Sequence, residues 1–252
     1  MLDFLQNYSS LLIYPMVALL LSGVLTWAAI QILPRFGYID KPGGRHIHQR
    51  IVPRGGGIAV IVAFFFAFAL YGIESDAPGA GKLFWRLLCP AVVLAALGMI
   101  DDRYALKSWI KLAVQLVVVL IVWLTIGHNY TVFGWTMPWF VSLGLTAVWI
   151  IVILNAFNLI DGLDGLASGL AIVSSGCLAI WFLMVSHHQP ETVAMLILAA
   201  SCLGFLRYNF HPAKIFLGDT GSTFLGLVFA IIGLSTIDRA VTVTSLLLPM
   251  LA

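Results

Sequence analysis

The sequence predicts an all-α polytopic membrane protein of about 8–9 transmembrane helices, with its chemically active residues in the cytosolic loops. Three observations carry this. Hydrophobic residues make up 61% of the 252 residues and charged residues only 10%, against roughly a quarter in a soluble domain. A water-soluble fold lacks the polar side chains to cover so much apolar surface. The apolar residues also run in stretches of about 18 or more, long enough to cross the hydrocarbon layer as helices, with short polar links between them.

In order, the expected spans are Leu11–Leu33, Gly57–Ile73, Leu83–Ile100, Ile110–Gly127, Trp139–Leu159, Ala167–Val185, Val193–Arg207 and Phe224–Ile237. Val241 to Ala252 reads as the start of a ninth. The first span is too long for a signal-peptide core and has no basic segment before it, so it reads as a retained helix. Trp85, Trp109, Trp135, Trp139 and Trp181 lie near span ends, where indole rings suit the headgroup layer. Cys89, Cys177 and Cys202 fall in apolar runs without metal-ligand spacing, and read as small buried hydrophobes.

Alternation of the spans gathers Pro34–Arg54, Asp101–Ser108, Ile160–Gly165 and Tyr208–Gly221 on one side. That side, with its adjacent helix ends, holds Arg35, Lys41, Arg45, Arg50, Arg54, Arg103, Lys107, Lys111, Arg207 and Lys214. The other receives Lys82, Arg86 and Arg239. The positive-inside bias therefore puts the first set in the cytosol and the N-terminus outside.

Four segments on the cytosolic side carry candidate chemistry. Asp101 and Asp102 follow directly on the run Ala91–Ile100. Adjacent carboxylates repel unless a cation is shared, and Mg2+ takes one or two carboxylates with phosphate oxygens and water. Arg103 and Lys107 offer a plain ion-pair alternative. In Asn155–Leu166, Asn158, Asp161 and Asp164 recur every three residues with Gly162 and Gly165 after the acids. That run suits an ion or ligand site, or a Gly-rich turn with Asp as a helix cap. Phe216–Ser222 has the glycines and hydroxyls of a phosphate nest at a helix start, but Asp219 among them calls for a bridging metal. The first loop offers Arg45-His-Ile-His-Gln-Arg50 and Pro53-Arg-Gly-Gly-Gly57, which suit a polyphosphate or serve as positive-inside anchors. Together these groups point to metal-assisted phosphoryl chemistry. Kinase loops, zinc motifs, nucleophile elbows and nucleic-acid modules are missing from the sequence.

Asp101-Asp102, Asn155–Leu166 and Phe216–Ser222, in this order, resemble the signatures of the polyprenyl-phosphate N-acetylhexosamine-1-phosphate transferases, glycosyl transferase family 4. The superfamily includes phospho-MurNAc-pentapeptide transferase and the GlcNAc-1-phosphate transferases that start O-antigen, enterobacterial common antigen and teichoic acid linkage. The likeness runs from Pro34 to at least Ser222. It implies transfer of a sugar 1-phosphate from a UDP-N-acetylhexosamine to undecaprenyl phosphate, releasing UMP, with Mg2+ or Mn2+ as cofactor. By resemblance, Asp101, Asp102 and Asp161 form the catalytic centre, where one Asp deprotonates the lipid phosphate for direct attack. Asp219 is the metal ligand, and Asn158, Gly221 and Ser222 support it. Asp164, Asn209 and Phe216 match positions that bind the uridine part, Arg50 or Arg54 the nucleotide entry loop, and Lys107 a basic residue near the lipid phosphate. The implied setting is the bacterial cytoplasmic membrane, among membrane lipids, with a homodimer left open and no nucleic acid.

Two departures accompany the resemblance. Relatives carry a later cytosolic loop with a His-rich motif, so residues 1–252 are expected to be one catalytic domain incomplete at its C-terminus. The early His46 and His48 belong to a different loop. Ala105 and Leu106 also stand where some GlcNAc-transferring relatives have another Asp, while the Pro53–Gly57 wording favours the O-antigen-initiating branch. The competing readings are a transporter and a silent relative that binds UDP-sugar or lipid phosphate without turnover. Acids gathered at one membrane face argue against the first, since transporter sites lie near the midplane.

Overall fold

A computed structural model describes residues 2–40, 51–75, 77–126, 131–132, 135–186 and 189–237. Eight α-helices account for most of them: α1 (Leu2–Ile32), α2 (Gly57–Glu74), α3 (Ala80–Tyr104), α4 (Ser108–Ile126), α5 (Trp139–Ile160), α6 (Leu166–Trp181), α7 (Gln189–Asn209) and α8 (Gly218–Ile237). One π-helical turn, Phe182–Ser186, continues α6. In a bilayer each backbone N–H and C=O must be satisfied within the chain, and a helix does this for an apolar run. Seven helices, α1 to α7, are long and apolar enough to cross a membrane, and α8 carries a shorter apolar run over Gly218–Leu234. A 3-10 turn, Leu33–Phe36, and two short antiparallel ribbons complete the described structure: β1 (Ile39–Asp40) with β2 (Val52–Pro53), and β3 (Thr131–Val132) with β4 (Trp135–Thr136).

The protein is thus an all-α multi-pass membrane protein, as the apolar runs indicate. The differences lie at helix ends. Asp101 and Asp102 fall in the last turn of α3, not in the loop after it, and Asp219 falls in the first turn of α8. Val241–Ala252 lies outside the described residues. Cys202 is buried as expected, but Cys89 and Cys177 are exposed; their apolar neighbourhood faces outward, where lipid replaces protein as the apolar surrounding. Trp85, Trp109, Trp139 and Trp181 are likewise exposed near helix ends.

α8 is the central element. Nearly every described side chain along it is buried, because α3 and α5 pack along it and α2 and α4 complete its surroundings. A helix apolar all round belongs in such a place. Close backbone approach makes the packing possible. A methyl at Gly57 would overlap the Gly221 backbone, and one at Gly98 would overlap Thr220. On the other flank α1 packs along α7, and α7 along α6. A methyl at Gly204 would overlap the Leu19 carbonyl, and Ser22 Oγ donates to the Ser201 carbonyl at 2.7 Å. Small residues and an interhelical hydrogen bond are the usual means of joining helices in lipid.

The up-and-down order sorts the helix ends onto two faces. One holds the end of α1, the starts of α2, α4, α6 and α8, and the ends of α3, α5 and α7. At the other, Tyr14 Oη donates to Glu74 at 3.0 Å, and Arg86 donates to the carbonyls of Thr125 and Ile126 at 3.1 and 3.3 Å.

Candidate active site

Asp219, in the first turn of α8, is the meeting point of the first face. Its Oδ1 accepts from Arg54 Nη2 at 2.8 Å and its Oδ2 from Lys111 Nζ at 2.7 Å. Arg54 reaches it because its loop is stitched to the segment before α8. Phe216 N–H donates to the Pro53 carbonyl at 2.8 Å, Gly56 N–H to Phe216 at 2.9 Å, and Gly57 N–H to Leu217 at 2.9 Å. Arg54 Nε also donates to Asp102 Oδ1 at 2.8 Å. One planar guanidinium thus links two carboxylates through the fixed fork of its Nε and Nη2 donors. Desolvation works against charge on Arg54, but Asp102 and Asp219 outweigh it and hold the guanidinium above its usual pKa.

Asp102 is fully engaged by the protein. Besides Arg54, its Oδ1 accepts the Asp219 N–H at 2.8 Å, while its Oδ2 accepts the Thr220 N–H at 3.2 Å and Thr220 Oγ1 at 2.7 Å. Its side chain is 0% exposed. The first N–H groups of a helix have no intrahelical partner and carry partial positive charge. Asp102, reaching across from α3, satisfies two of them. Asp161, at the C-terminal end of α5, lies close enough to the Gly218 N–H to feel its charge. The expected phosphate nest at Phe216–Ser222 is therefore already filled: the anions at this helix start are the protein's own carboxylates. Burial lifts the Asp161 carboxyl well above its ordinary pKa; Arg54 and the Gly218 N–H oppose the rise, and Asp102 and Asp219 reinforce it.

Asp101 is placed differently. Its Oδ1 accepts the Leu106 N–H at 2.7 Å, closing the turn where Ala105 leaves α3 with φ 49°. Its Oδ2 faces Lys111 Nζ. Lys111, not Lys107, is the lysine at this centre. Lys107 lies in the link before α4 and is exposed, whereas Lys111 sits one helical turn on and bridges Asp101 and Asp219.

Asn158 Nδ2 donates to Ser222 Oγ at 3.2 Å, joining α5 to α8, and Gly221 supplies the close contact with Gly57. A cleft between α3, α4, α5 and α8 opens beside these groups, lined among others by Asp101, Lys111, Gln115, Asn155, Asn158 and Asp219.

The expected uridine residues lie to one side. Asp164 Oδ2 accepts the Ala213 N–H at 3.0 Å and stands 2.9 Å from His211 Nδ1. Asn209 is 3% exposed; its Oδ1 accepts from Gly165 N–H and Ser168 Oγ, and its Nδ2 donates to the Ile215 carbonyl. Asn209 therefore fastens the 161–165 turn to the segment leading into α8. Phe216 is partly exposed in that segment. Arg50, His46 and His48 lie outside the described residues.

Four carboxylates, Asp101, Asp102, Asp161 and Asp219, face two cations, Arg54 and Lys111. Among the described residues no three His, Cys, Asp or Glu side chains converge as a ready metal cage. A Mg2+ ion does not need one, since it is held by one or two carboxylates with water and phosphate oxygens. The all-oxygen donor set and its surplus negative charge fit such an ion, and Asp101 and Asp219 already converge on a cation in Lys111 Nζ.

Comparison with known proteins places this arrangement among relatives. Residues 84–237 match the family described as glycosyl transferase family 4. The chain is 34% identical over 242 residues to a probable undecaprenyl-phosphate N-acetylglucosaminyl 1-phosphate transferase of Bacillus subtilis (strain 168), covering 93% of this chain and 65% of that protein. It is 35% identical over 217 residues to the decaprenyl-phosphate N-acetylglucosaminephosphotransferase of Mycolicibacterium smegmatis, covering 77% and 52%. Against the undecaprenyl-phosphate alpha-N-acetylglucosaminyl 1-phosphate transferase of Escherichia coli K12 it is 32% identical over 223 residues, covering 82% and 58%. The chain thus spans between 52% and 65% of the length of these relatives.

Proposed function

As the chain belongs to glycosyl transferase family 4, the polyprenyl-phosphate N-acetylhexosamine-1-phosphate transferases, we propose that it transfers N-acetylhexosamine 1-phosphate from a UDP-sugar to a polyprenyl phosphate. The observation that carries this reading is the cluster of four aspartates, Arg54 and Lys111 at one end of the helix bundle. The names of the relatives support N-acetylglucosamine as the sugar and an undecaprenyl or decaprenyl chain as the lipid.

In the reaction an oxygen of the lipid phosphate attacks the sugar-bearing phosphorus. A new P–O bond forms, the bond from that phosphorus to the bridging oxygen breaks, and UMP leaves. Asp101 is the better placed of the adjacent pair to take the proton of the lipid phosphate, because Asp102 is committed to the start of α8. Asp219, with Asp101 beside it, would hold Mg2+, which supplies charge neutralisation on the transferring group. Lys111 and Arg54 add positive charge around the same phosphates. The excess of Lys and Arg on this face supports a cytosolic site with the N-terminus outside, in a bacterial cytoplasmic membrane.

The test is UMP release from purified protein with undecaprenyl phosphate, Mg2+ and a panel of UDP-N-acetylhexosamines. UMP that requires both the lipid and the metal supports the reading. Lipid-independent UMP, or none from folded protein under any donor, refutes it for this chain.

A further inference from the structure

The cleft beside the aspartates has a second wall that the reaction above leaves unused. Gln115 lies one helical turn beyond Lys111 on α4, and Asn155 lies nearly one turn before Asn158 on α5, so each pair shares a helix face. Asn155 Nδ2 donates to the Ile151 carbonyl at 2.7 Å and to Gln115 Oε1 at 3.1 Å. The Ile151 carbonyl fixes which end of the Asn155 amide is nitrogen. Gln115 must then present its oxygen to Asn155, which turns its own N–H2 group away from α5. Gln115 is 4% exposed and lines the cleft with Asp101 and Lys111. No acceptor among the described residues takes its Nε2 protons.

An amide held in one orientation at the cleft wall, with two unused donors, is suited to an acceptor-rich ligand. Its depth selects among ligands. Four residues of helix place Gln115 about 6 Å deeper in the bundle than Lys111. A nucleotide reaches the aspartates from the polar face, whereas an anion tied to a hydrocarbon chain reaches them from the membrane side. Asn155 is exposed on the outer surface of an apolar span, beside the exposed Val152 and Leu159. A polar group there is costly unless it is used.

We propose that Gln115 Nε2 donates to the phosphate of the polyprenyl acceptor, and that Asn155 is the positioning residue that holds the amide in register. This rests on the acceptor reading given above. A neutral donor orients the phosphate without adding a charge that would compete with Lys111 for Asp101.

The test is binding to the purified full chain in detergent, comparing undecaprenyl phosphate with undecaprenol, and adding inorganic phosphate as competitor. Gln115→Glu keeps the acceptor that Asn155 uses but replaces the donor with an oxygen that repels phosphate. It is expected to reduce the preference for undecaprenyl phosphate over undecaprenol at least about tenfold, as for loss of a hydrogen bond to a charged group. Gln115→Met, which removes both amide atoms at similar volume, is expected to act in the same direction, and Asn155→Leu more weakly. UDP-sugar affinity is expected to stay unchanged in all three. A preference undiminished in both Gln115 variants refutes the role of Gln115 and leaves the acceptor reading standing, as does an equal loss of lipid and UDP-sugar binding. A wild-type chain that binds the alcohol as well as the phosphate, or binds inorganic phosphate as well as the lipid, refutes the acceptor reading itself.

Discussion

Replacing Asp102 by Asn removes one charge and one acceptor while keeping the side-chain shape. In the native protein each carboxylate oxygen of Asp102 receives two hydrogen bonds, from Arg54 and the Asp219 N–H on one side and from Thr220 on the other. Whichever way the Asn amide is turned, its N–H2 group faces a backbone N–H that cannot accept. The loss is that of one partner of a buried charge pair, about 3–5 kcal/mol. For a chain of this size it lowers the melting temperature on the order of 10 °C. Circular dichroism of the detergent-solubilised variant during heating measures this directly. Asp101→Asn is the matched control. Asp101 contacts one backbone N–H and Lys111, so its variant is expected to melt within a few degrees of wild type while UMP release collapses. An Asp102→Asn protein that melts like wild type and loses only turnover would falsify the assignment of Asp102 as the anchor of α8.

Three further outcomes follow from the same geometry. Lys111→Met is expected to lower the rate of UMP release about a hundredfold, in line with removal of a charged group at a phosphoryl centre, and Lys107→Met only a few-fold; the reverse order sinks the placement of the working lysine. Gly57→Ala pushes a methyl into the Gly221 backbone, whereas Gly72 has nothing within 4 Å of its would-be Cβ. The first is expected to unfold at clearly lower temperature, and Gly72→Ala to match or exceed wild type by up to about 1 kcal/mol. Asp161 holds its proton more tightly in the native state than an unfolded carboxylate does. In metal-free buffer its contribution to stability is therefore fully present only below the unfolded carboxylate value. It declines as pH rises from about 4, the unfolded value, until the raised native value is passed. Asp161→Asn is expected to flatten the slope of melting temperature against pH over that range, and an unchanged slope refutes it.

The helices and the shared face of the acids are legible in the sequence because both follow from local pattern: apolar length sets each span, and alternation sets which ends meet. What required the structure depends on phase and on contacts between distant segments. Lys107 and Lys111 differ by one turn, so choosing between them requires the first residue of α4, and the Ala105–Lys107 link that fixes it has no periodic signal. Asp101 and Asp102 look equivalent as neighbours in sequence. On a helix they point about 100° apart, one toward Lys111 and the other into the start of α8. Arg54 signals its basic loop but not its reach, which comes from backbone pairing with residues 216 and 217. Gln115 and Asn155 are amides in two different apolar runs, 40 residues apart, and only the packing of α4 on α5 joins them. Asn209 carries the expected polarity of a binding residue, yet local turns use all of its described hydrogen bonds.

The contact of Gly57 with Gly221, and of Gly98 with Thr220, is main chain against main chain. The height and rotation of α8, and with them the position of Asp219, are thereby set by atoms that every amino acid shares. Side chains on the lipid-facing sides of α4 and α5, such as Leu120, Leu124 and Val148, can change with the thickness and composition of the host membrane without moving the acid. Adaptation to a new bilayer and preservation of the reaction centre are thus assigned to different atoms of the same helices.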